Sequence, residues 1–520
     1  MTRALISVSD KTNLIAMAQV FQDNGIEIIS TGGTQEYLSK NGITTIAIEE
    51  VTDFPEILDG RVKTLHPKVH GGLLAVRDNP KHMQAIEEHQ IEKIDYIIVN
   101  LYPFKETIQN PNVNLFEAIE KIDIGGPSML RSAAKNYESV TVVSDPEDYE
   151  LVMSEIKENG KTSLSTRKQL AQKVFALTAS YDAAIANYLS KQLNEARTTT
   201  SNAAKTLTLT ADRMHELRYG ENSHQTATVY ANPLAPNYSI TKAEKLNGKN
   251  LSFNNYRDAD AAIKILREFS DQICAVAVKH LNPCGVAIGN SIEEAFTRCY
   301  ESDPVSIFGG IVAFNQPITE KLAKRLQQMF LDVIIAPDFE GEALEILKQK
   351  PNVRILKLKM NDLTMEEKEV LSVSGGILVQ DQDLIVEDPS KWILMTEKNV
   401  TSIQREALQF AWKVAKHVKS NAIVATNEYQ TFGIGAGQTN RVGAAKIAIE
   451  QAEQSGFDLS NMVLASDAFI PMTDTIEYAH QHNVKAIIQP GGSINDQEVI
   501  DKANEYEISM LATNVRHFRH

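Results

Sequence analysis

The chain is poor in cysteine, in tryptophan and in positive charge. Three cysteines in 520 residues, Cys274, Cys284 and Cys299, lie close together with no CxxC pair. That argues against a disulfide framework or a zinc site and fits a reducing cytoplasm. With 52 Lys and Arg against 67 Asp and Glu, the net charge is −15. A general binder of nucleic acid or of anionic membrane is therefore not expected, and any anionic ligand must meet a local cluster of cations. No apolar run of about 18 residues occurs, and Met1 leads straight into a strand-like segment without the apolar core of a secretory signal. These absences predict a soluble, cytoplasmic protein. What is present is 43% hydrophobic and 23% charged residues, enough for a sizeable core, at a length that calls for two to four domains.

The first part alternates strand and helix patterns: strands at 4–8, 27–30, 94–99 and 140–143, helices at 11–23, 34–41 and 115–121, then helical periodicity from 146 to 195. Alternation of this kind predicts a parallel sheet with ligands at the carboxyl ends of its strands. Two polar turns fall at such ends, Ser7-Val8-Ser9-Asp10-Lys11 and Ser30-Thr31-Gly32-Gly33-Thr34. Glycine lets backbone amides approach a phosphate, hydroxyls add donors, and the next helix offers its positive end. Between residues 59 and 72 the loop DGRVKTLHPKVHGG gathers Arg61, Lys63, Lys68 and two histidines, an anion site inside an acidic chain. His66 and His70 have a metal-ligand spacing, but Pro67 and the glycines oppose a regular helix and no carboxylate completes the set. Asn100 and Tyr102 end the strand at 94–99, and Asp123-Ile124-Gly125-Gly126-Pro127 opens a helix carrying Arg131 and Lys135 on one face.

Residues 197–205 are rich in Thr, Ser, Asn and Ala with no apolar period, and they divide the chain into 1–196 and 206–520. In the second part, Lys279-His280-Leu281-Asn282-Pro283-Cys284-Gly285 follows the buried strand 273–278, so a Lys and a His sit side by side where a strand meets a turn. Held close, two such groups disfavour each other's charge, which suits acid and base work. The plain alternative is a strand end with two solvated cations. Phe432-Gly433-Ile434-Gly435-Ala436-Gly437 is a glycine run before a helix at 442–455, compatible with ligand contact but lacking the acidic partner of a dinucleotide site. A strand at 508–512 anchors the basic tail that ends in Arg516-His517-Phe518-Arg519-His520.

Taken in order, the motifs SVSDK, STGGT, GRVKTLHPKVHGG, NLYPF, IDIGG, RYGEN, KHLNPCG, FGGIVAFN, GIGAGQTNR, SDAF, QPGGS and RHFRH resemble those of the bifunctional family that joins 5-aminoimidazole-4-carboxamide ribonucleotide formyltransferase to IMP cyclohydrolase. The resemblance covers essentially the whole chain. It implies an α/β protein, with an amino-terminal doubly wound sheet of methylglyoxal-synthase-like type and a carboxyl-terminal pair of related cytidine-deaminase-like α/β domains. It also implies a homodimer, small-molecule nucleotide and folate substrates, 10-formyltetrahydrofolate as co-substrate, and no metal or redox cofactor.

The same resemblance assigns residues. For formyl transfer it implies His280 as the group that removes the substrate amine's proton and Lys279 as the one that protonates the departing folate nitrogen. Asn255 or a residue of a glycine-rich turn would help hold the formyl oxygen, Arg218 and Tyr219 would bind substrate, Arg516 and His520 would close over it, and Asp474, Phe469 and Gly310 would lie near the folate. For ring closure it implies Lys63, Tyr102 and Lys135 around the formyl oxygen and Asp123 as base. Ser9, Lys11, Ser30, Thr31, Gly33, Thr34, Arg61, Thr64, Asn100 and Gly125 hold the nucleotide. The chemistry agrees, because the substrate amine is delocalised and weakly nucleophilic, so orientation and proton removal carry the rate. Departures are local: Ser223 replaces a usual Pro, Thr439-Asn440 a usual Met-Ser, and Ile470 with Met472 replaces aromatics near the expected folate pocket. A zinc deaminase would need a His/Cys set that these cysteines do not supply. A nucleotide sensor would have no use for the Lys279-His280 pair beside a second pocket.

Overall fold

In the first unit the β-branched runs pair as parallel strands: β1 (Arg3–Ser7), β2 (Glu27–Ser30), β3 (Ile46–Ala47), β4 (Tyr96–Val99) and β5 (Thr141–Val143), in the order β3-β2-β1-β4-β5. The computed structural model describes residues 1–110, 112–195, 205–360 and 368–520. It divides into two units, Met1–Asp212 with Asn232–Leu234, and Arg213–Ala231 with Ala235–His520. The linker expected at 197–205 lies, apart from Lys205, outside the described residues. Among the described residues no helix is long and apolar enough to cross a membrane.

Order reverses between β1 and β4, and a doubly wound sheet opens its ligand crevice at that point. Helices cover both faces, so the strands are apolar on both sides: Leu5, Ile6, Ile29, Ile97 and Val142 are completely buried. Around them pack Leu14–Asp23, Gly125–Lys135, Tyr149–Asn159 and the long Leu164–Glu195 helix. One expectation fails here. The segment after His66 is a helix, Pro67–Leu74. Proline is tolerated because it occupies the first turn, where its missing N–H loses nothing. Gly72 suits the helix because a Cβ there would lie 2.5 Å from the Glu92 carbonyl oxygen.

The second unit builds one sheet pattern twice. Strands β6 (Asp212–Leu217) and β7 (Ala227–Ala231) form a small entry ribbon. The first large sheet then uses β8 (Glu244–Asn247), β9 (Ile273–Lys279), β10 (Asn282–Gly289), β11 (Ile311–Phe314), β12 (Val333–Ala336) and β13 (Arg354–Lys357), ordered β10-β9-β11-β12-β13-β8. A separate hairpin follows, β14 (Lys368–Val373) with β15 (Gly376–Asp381). The second sheet uses β16 (Ile393–Leu394), β17 (Ile423–Thr426), β18 (Thr431–Gly435), β19 (Val463–Ser466), β20 (Ala486–Gln489) and β21 (Ser509–Ala512). Its order read from β18 is β18-β17-β19-β20-β21-β16, with parallel and antiparallel pairings falling at the same steps as in the first. The related pair of subdomains is thus visible in topology although the sequence has no strict repeat.

Each repeat lays a helix before its hairpin: Phe253–Arg267 before β9 and Ser402–Ala415 before β17. The first is started by its cap. Ser252 Oγ accepts from the Asn255 amide at 3.1 Å and Asn255 Oδ1 accepts from the Ser252 amide at 3.0 Å, a reciprocal cap. The glycine run at 432–437 is largely strand rather than loop. Cβ atoms on Gly433 and Gly435 would lie 2.0 Å and 1.9 Å from the carbonyl oxygens of Ala448 and Ala444, so these glycines let β18 sit against the Arg441–Gln454 helix. Close packing accounts for them without a ligand.

Candidate active sites

In the first unit the crevice at the sheet's switch point is built from the ends of β1, β2 and β4. Asn100, just past β4, ties the β1 turn: its Oδ1 accepts from Ser9 N at 2.6 Å, Ser9 Oγ at 2.8 Å and Asp10 N at 3.0 Å, while its Nδ2 donates to Asp10 O at 3.1 Å. The β2 turn is tied to β1 in the same way. Ser7 Oγ and Thr31 Oγ1 are 2.8 Å apart, Ser30 Oγ donates to Ile6 O at 2.9 Å, and Thr34 Oγ1 donates to Val8 O at 3.0 Å. With those hydroxyls occupied, the amides of Gly32 and Gly33 open the next helix, where no carbonyl one turn back exists to accept from them. Gly33 is exposed, and a Cβ there would meet nothing within 4 Å. Lys11 Nζ lies 3.4 Å from Val8 O.

The basic loop comes to this turn. Lys63 is half-buried, with its Nζ 2.8 Å from Glu56 Oε2 and 3.5 Å from where a Cβ on Gly32 would stand. A Cβ on Gly125 would lie 2.9 Å from Thr64 Oγ1, so the start of the Gly125–Lys135 helix adjoins the same loop. Arg61 is exposed and paired with Glu120. Asp123 Oδ1 accepts from Gly126 N at 2.8 Å, and its own amide donates to Tyr181 Oη at 2.8 Å. Burial pushes the Asp123 carboxyl above its ordinary range, partly offset by the amides of Gly126 and Tyr102. Tyr102 is exposed beside it.

Lys135 is exposed at the far end of its helix. Ten residues of rise, about 15 Å, separate it from Gly125, so within one chain it does not join Asp123 and Lys63. The two histidines of the loop take different places. His66 caps the Pro67–Leu74 helix through Nδ1, which accepts from Lys68 N at 3.2 Å, and His70 Nδ1 lies 2.9 Å from Ser132 Oγ.

The second unit holds Lys279 and His280 at the tip of the β9–β10 hairpin, on the edge of a cleft of about 480 Å³. Asn282, Cys284, Asp303 and Ser306 share its lining, with Ile434 and Glu450 from the second repeat. Lys279 Nζ donates to Phe308 O at 2.8 Å, and the exposed His280 follows in the turn. Burial first, and Asp303 second, push the Cys284 thiol up to about 12, so it stays protonated and is no nucleophile at neutral pH.

Other expected residues stand elsewhere in this unit. Asn255 is buried, its oxygen used in the cap and its Nδ2 3.3 Å from Asp332 Oδ2. Arg218 is exposed, with its guanidinium 5.6 Å from the centroid of the Tyr219 ring. Gly310 is buried before β11. Phe469 is half-buried, and Asp474 is exposed at the start of the Asp474–Gln481 helix, its Oδ1 accepting from Thr475 N at 2.7 Å. Ile470 is wholly inside the core, whereas Met472 is exposed.

The tail alternates outward and inward. Arg516 and His520 are exposed and flank the Phe518 ring. His517 is buried between Asp383 Oδ2 at 2.5 Å and Glu387 Oε1 at 2.8 Å, and Glu387 also accepts from the indoles of Trp412 at 2.8 Å and Trp392 at 3.0 Å. Burial works against a charged His517, but the two carboxylates outweigh it and raise the ring above its ordinary value. Arg519 donates to His417 O at 2.9 Å, and His417 Nε2 lies 2.9 Å from Glu268 Oε1. Glu268 is held down to about 2: burial opposes this, and bonds from His417 and Lys416 overcome it. Residue-type reading missed Tyr181, Asp258, His517 and Glu387, all of which act on a neighbour's backbone or side chain. Nothing in the tail's residue types marks His517 as the buried member, since its apolar neighbour Phe518 is the one exposed.

The AICARFT/IMPCHase bienzyme family matches residues 133–451, and an MGS-like domain matches residues 13–128. The bifunctional purine biosynthesis protein PurH of Enterococcus faecalis is 55% identical over 518 residues, spanning 100% of this chain and 99% of its own. PurH of Lactobacillus delbrueckii subsp. bulgaricus is 54% identical over 524 residues, spanning 100% of both chains. PurH of Bacillus cereus is 52% identical, spanning 100% of this chain and 99% of its own. The crystal structure of ForH aligns with a TM-score of 0.34 at 35% identity, over 36% of this chain and 95% of that one. From end to end, the chain belongs to the AICARFT/IMPCHase bienzyme family.

Proposed function

We propose that the two pockets divide the family's two reactions between them. The chain is a bifunctional enzyme of purine biosynthesis, a formyltransferase and a cyclohydrolase. Formyl transfer is assigned to the Lys279-His280 hairpin tip, with 10-formyltetrahydrofolate as donor. The amine nitrogen of 5-aminoimidazole-4-carboxamide ribonucleotide attacks the formyl carbon, His280 takes the amine proton, and the bond to the folate nitrogen breaks as Lys279 gives that nitrogen a proton. The observation that carries this is the placement of both side chains on one cleft by a turn between two strands. Arg218, Tyr219, Asn255, Arg516 and His520 are assigned to the nucleotide, and Asp474, Phe469 and Gly310 to the folate.

Ring closure is assigned to the first unit. The carboxamide nitrogen attacks the formyl carbon as Asp123 takes its proton, and Lys63 and Tyr102 stabilise the oxygen on which charge builds; that proton and the one lost from the formamido nitrogen pass to the oxygen, the C–O bond breaks with formation of the ring C=N bond, and water leaves. The Ser30–Thr34 turn, with Ser9, Lys11, Arg61, Thr64, Asn100 and Gly125, receives the phosphate and ribose. Lys135 is assigned a supporting charge, since the length of its helix keeps it from direct contact within one chain. The free thiols fit the reducing cytoplasm.

A homodimer is part of the same reading. The β14–β15 hairpin stands with Leu371, Val373, Ile377 and Leu378 all exposed, and an isolated two-stranded ribbon with apolar side chains in water is marginal on its own. A second copy covering it accounts for that pattern. The direct test mixes the pure protein with the aminoimidazole nucleotide and the formylated folate and follows IMP. Formation of the formylated nucleotide and then IMP is expected; no IMP from these two compounds would defeat the reading.

A further inference from the structure

The hairpin tip that presents His280 is strained. Both central residues of the β9–β10 turn, His280 and Leu281, hold positive φ, 56° and 67°. Such turns normally use Asn and Gly, because a Cβ in the left-handed region crowds the following carbonyl. Neither stands here, so the surroundings must hold the turn.

The Phe253–Arg267 helix supplies the hold. Asp258 Oδ1 accepts from the Leu281 amide at 2.8 Å and Oδ2 from the His280 amide at 3.2 Å. In a free hairpin these two amides face water. On the other side Asn282 Nδ2 donates to His280 O at 3.2 Å, and its Oδ1 accepts from Lys419 N at 3.0 Å. Two donors facing two oxygens call for a carboxylate, because an amide in its place would turn an NH2 group towards one of the N–H groups. Asp258 is half-buried and is not among the residues that line the cleft.

We propose that Asp258 is a positioning residue of formyl transfer, clasping the His280 and Leu281 amides so that the His280 ring enters the cleft at a fixed place. The proposal rests on the reading of Lys279 and His280 as the transfer pair. A misplacement of about 1 Å costs on the order of 100-fold in rate, and that is the loss in kcat expected for Asp258→Asn, with KM for both substrates little changed. Ring closure of supplied formylated nucleotide proceeds at the wild-type rate. Adding Leu281→Gly to Asp258→Asn restores at least about tenfold, because glycine holds positive φ without a clasp. A role in general folding or in charge alone gives no such rescue. Wild-type kcat in Asp258→Asn, or a loss that Leu281→Gly does not relieve, overturns the proposal while leaving the transfer pair in place. A wild-type protein that transfers no formyl group overturns both.

Discussion

At the scale of single residues, the proposed base of ring closure, Asp123, is tuned by its burial. Burial raises its folded pKa above the ordinary 3.8, so its stabilising contribution is complete below 3.8 and is lost as pH rises through the raised value. At neutral pH the ionised group therefore burdens the first unit, a cost that the proposed role in ring closure accounts for. Asp123→Asn should cut ring closure by about 100-fold or more yet raise the unit's melting temperature at pH 7, a gain that disappears towards pH 4. Melting curves at the two pH values check this, and a variant destabilised at pH 7 would show that the carboxylate is structural. In the wild type, ring closure should fall on acidification at a pH above the range of an ordinary carboxylate. Residue types alone picked out Lys279 and His280 as a candidate pair, because two ionisable groups sit side by side where a strand meets a turn, and marked the loop around Lys63 as an anion site; the role proposed for Asp123 came from the family resemblance. Tyr181 and Asp258 were not legible, because their partners are backbone amides 58 and 22 to 23 residues away.

At the scale of elements, the tail after β21 is held from within. His517 joins Asp383 and Glu387, and because its folded pKa is raised, the stabilisation is full below 6.5 and is lost as pH rises through the raised value. His517→Gln should cost the second unit about 1.5–3 kcal/mol at pH 6 and less at pH 9, read from denaturant unfolding at both. An equal cost at the two pH values would mean that packing on Trp412, 5.1 Å between ring centroids, matters more than charge. Strands were the easier elements to read, since β4 and the body of β9 carry uninterrupted apolar runs that are buried throughout. The β10 and β18 strands escaped because their glycines, required by close helices, look like loop signals. The Pro67–Leu74 helix escaped because proline and glycine count against helix unless their position and packing are known.

At the scale of the whole molecule, the proposed reading gives each of the two units one chemistry and assigns the exposed β14–β15 hairpin to joining copies. Replacing 368–381 with a short Gly-Ser turn should convert a dimer into a monomer in sedimentation equilibrium; an unchanged dimer would place the interface elsewhere. The doubled sheet of the second unit was only partly legible, since topology repeats where sequence does not. The division of labour is tested most directly by giving His280→Ala both assays side by side, formyl transfer to the aminoimidazole nucleotide and ring closure of the formylated nucleotide. Transfer should fall by at least about 100-fold with ring closure at the wild-type rate. Loss of both together, or of neither, would contradict the assignment of the Lys279-His280 hairpin to formyl transfer.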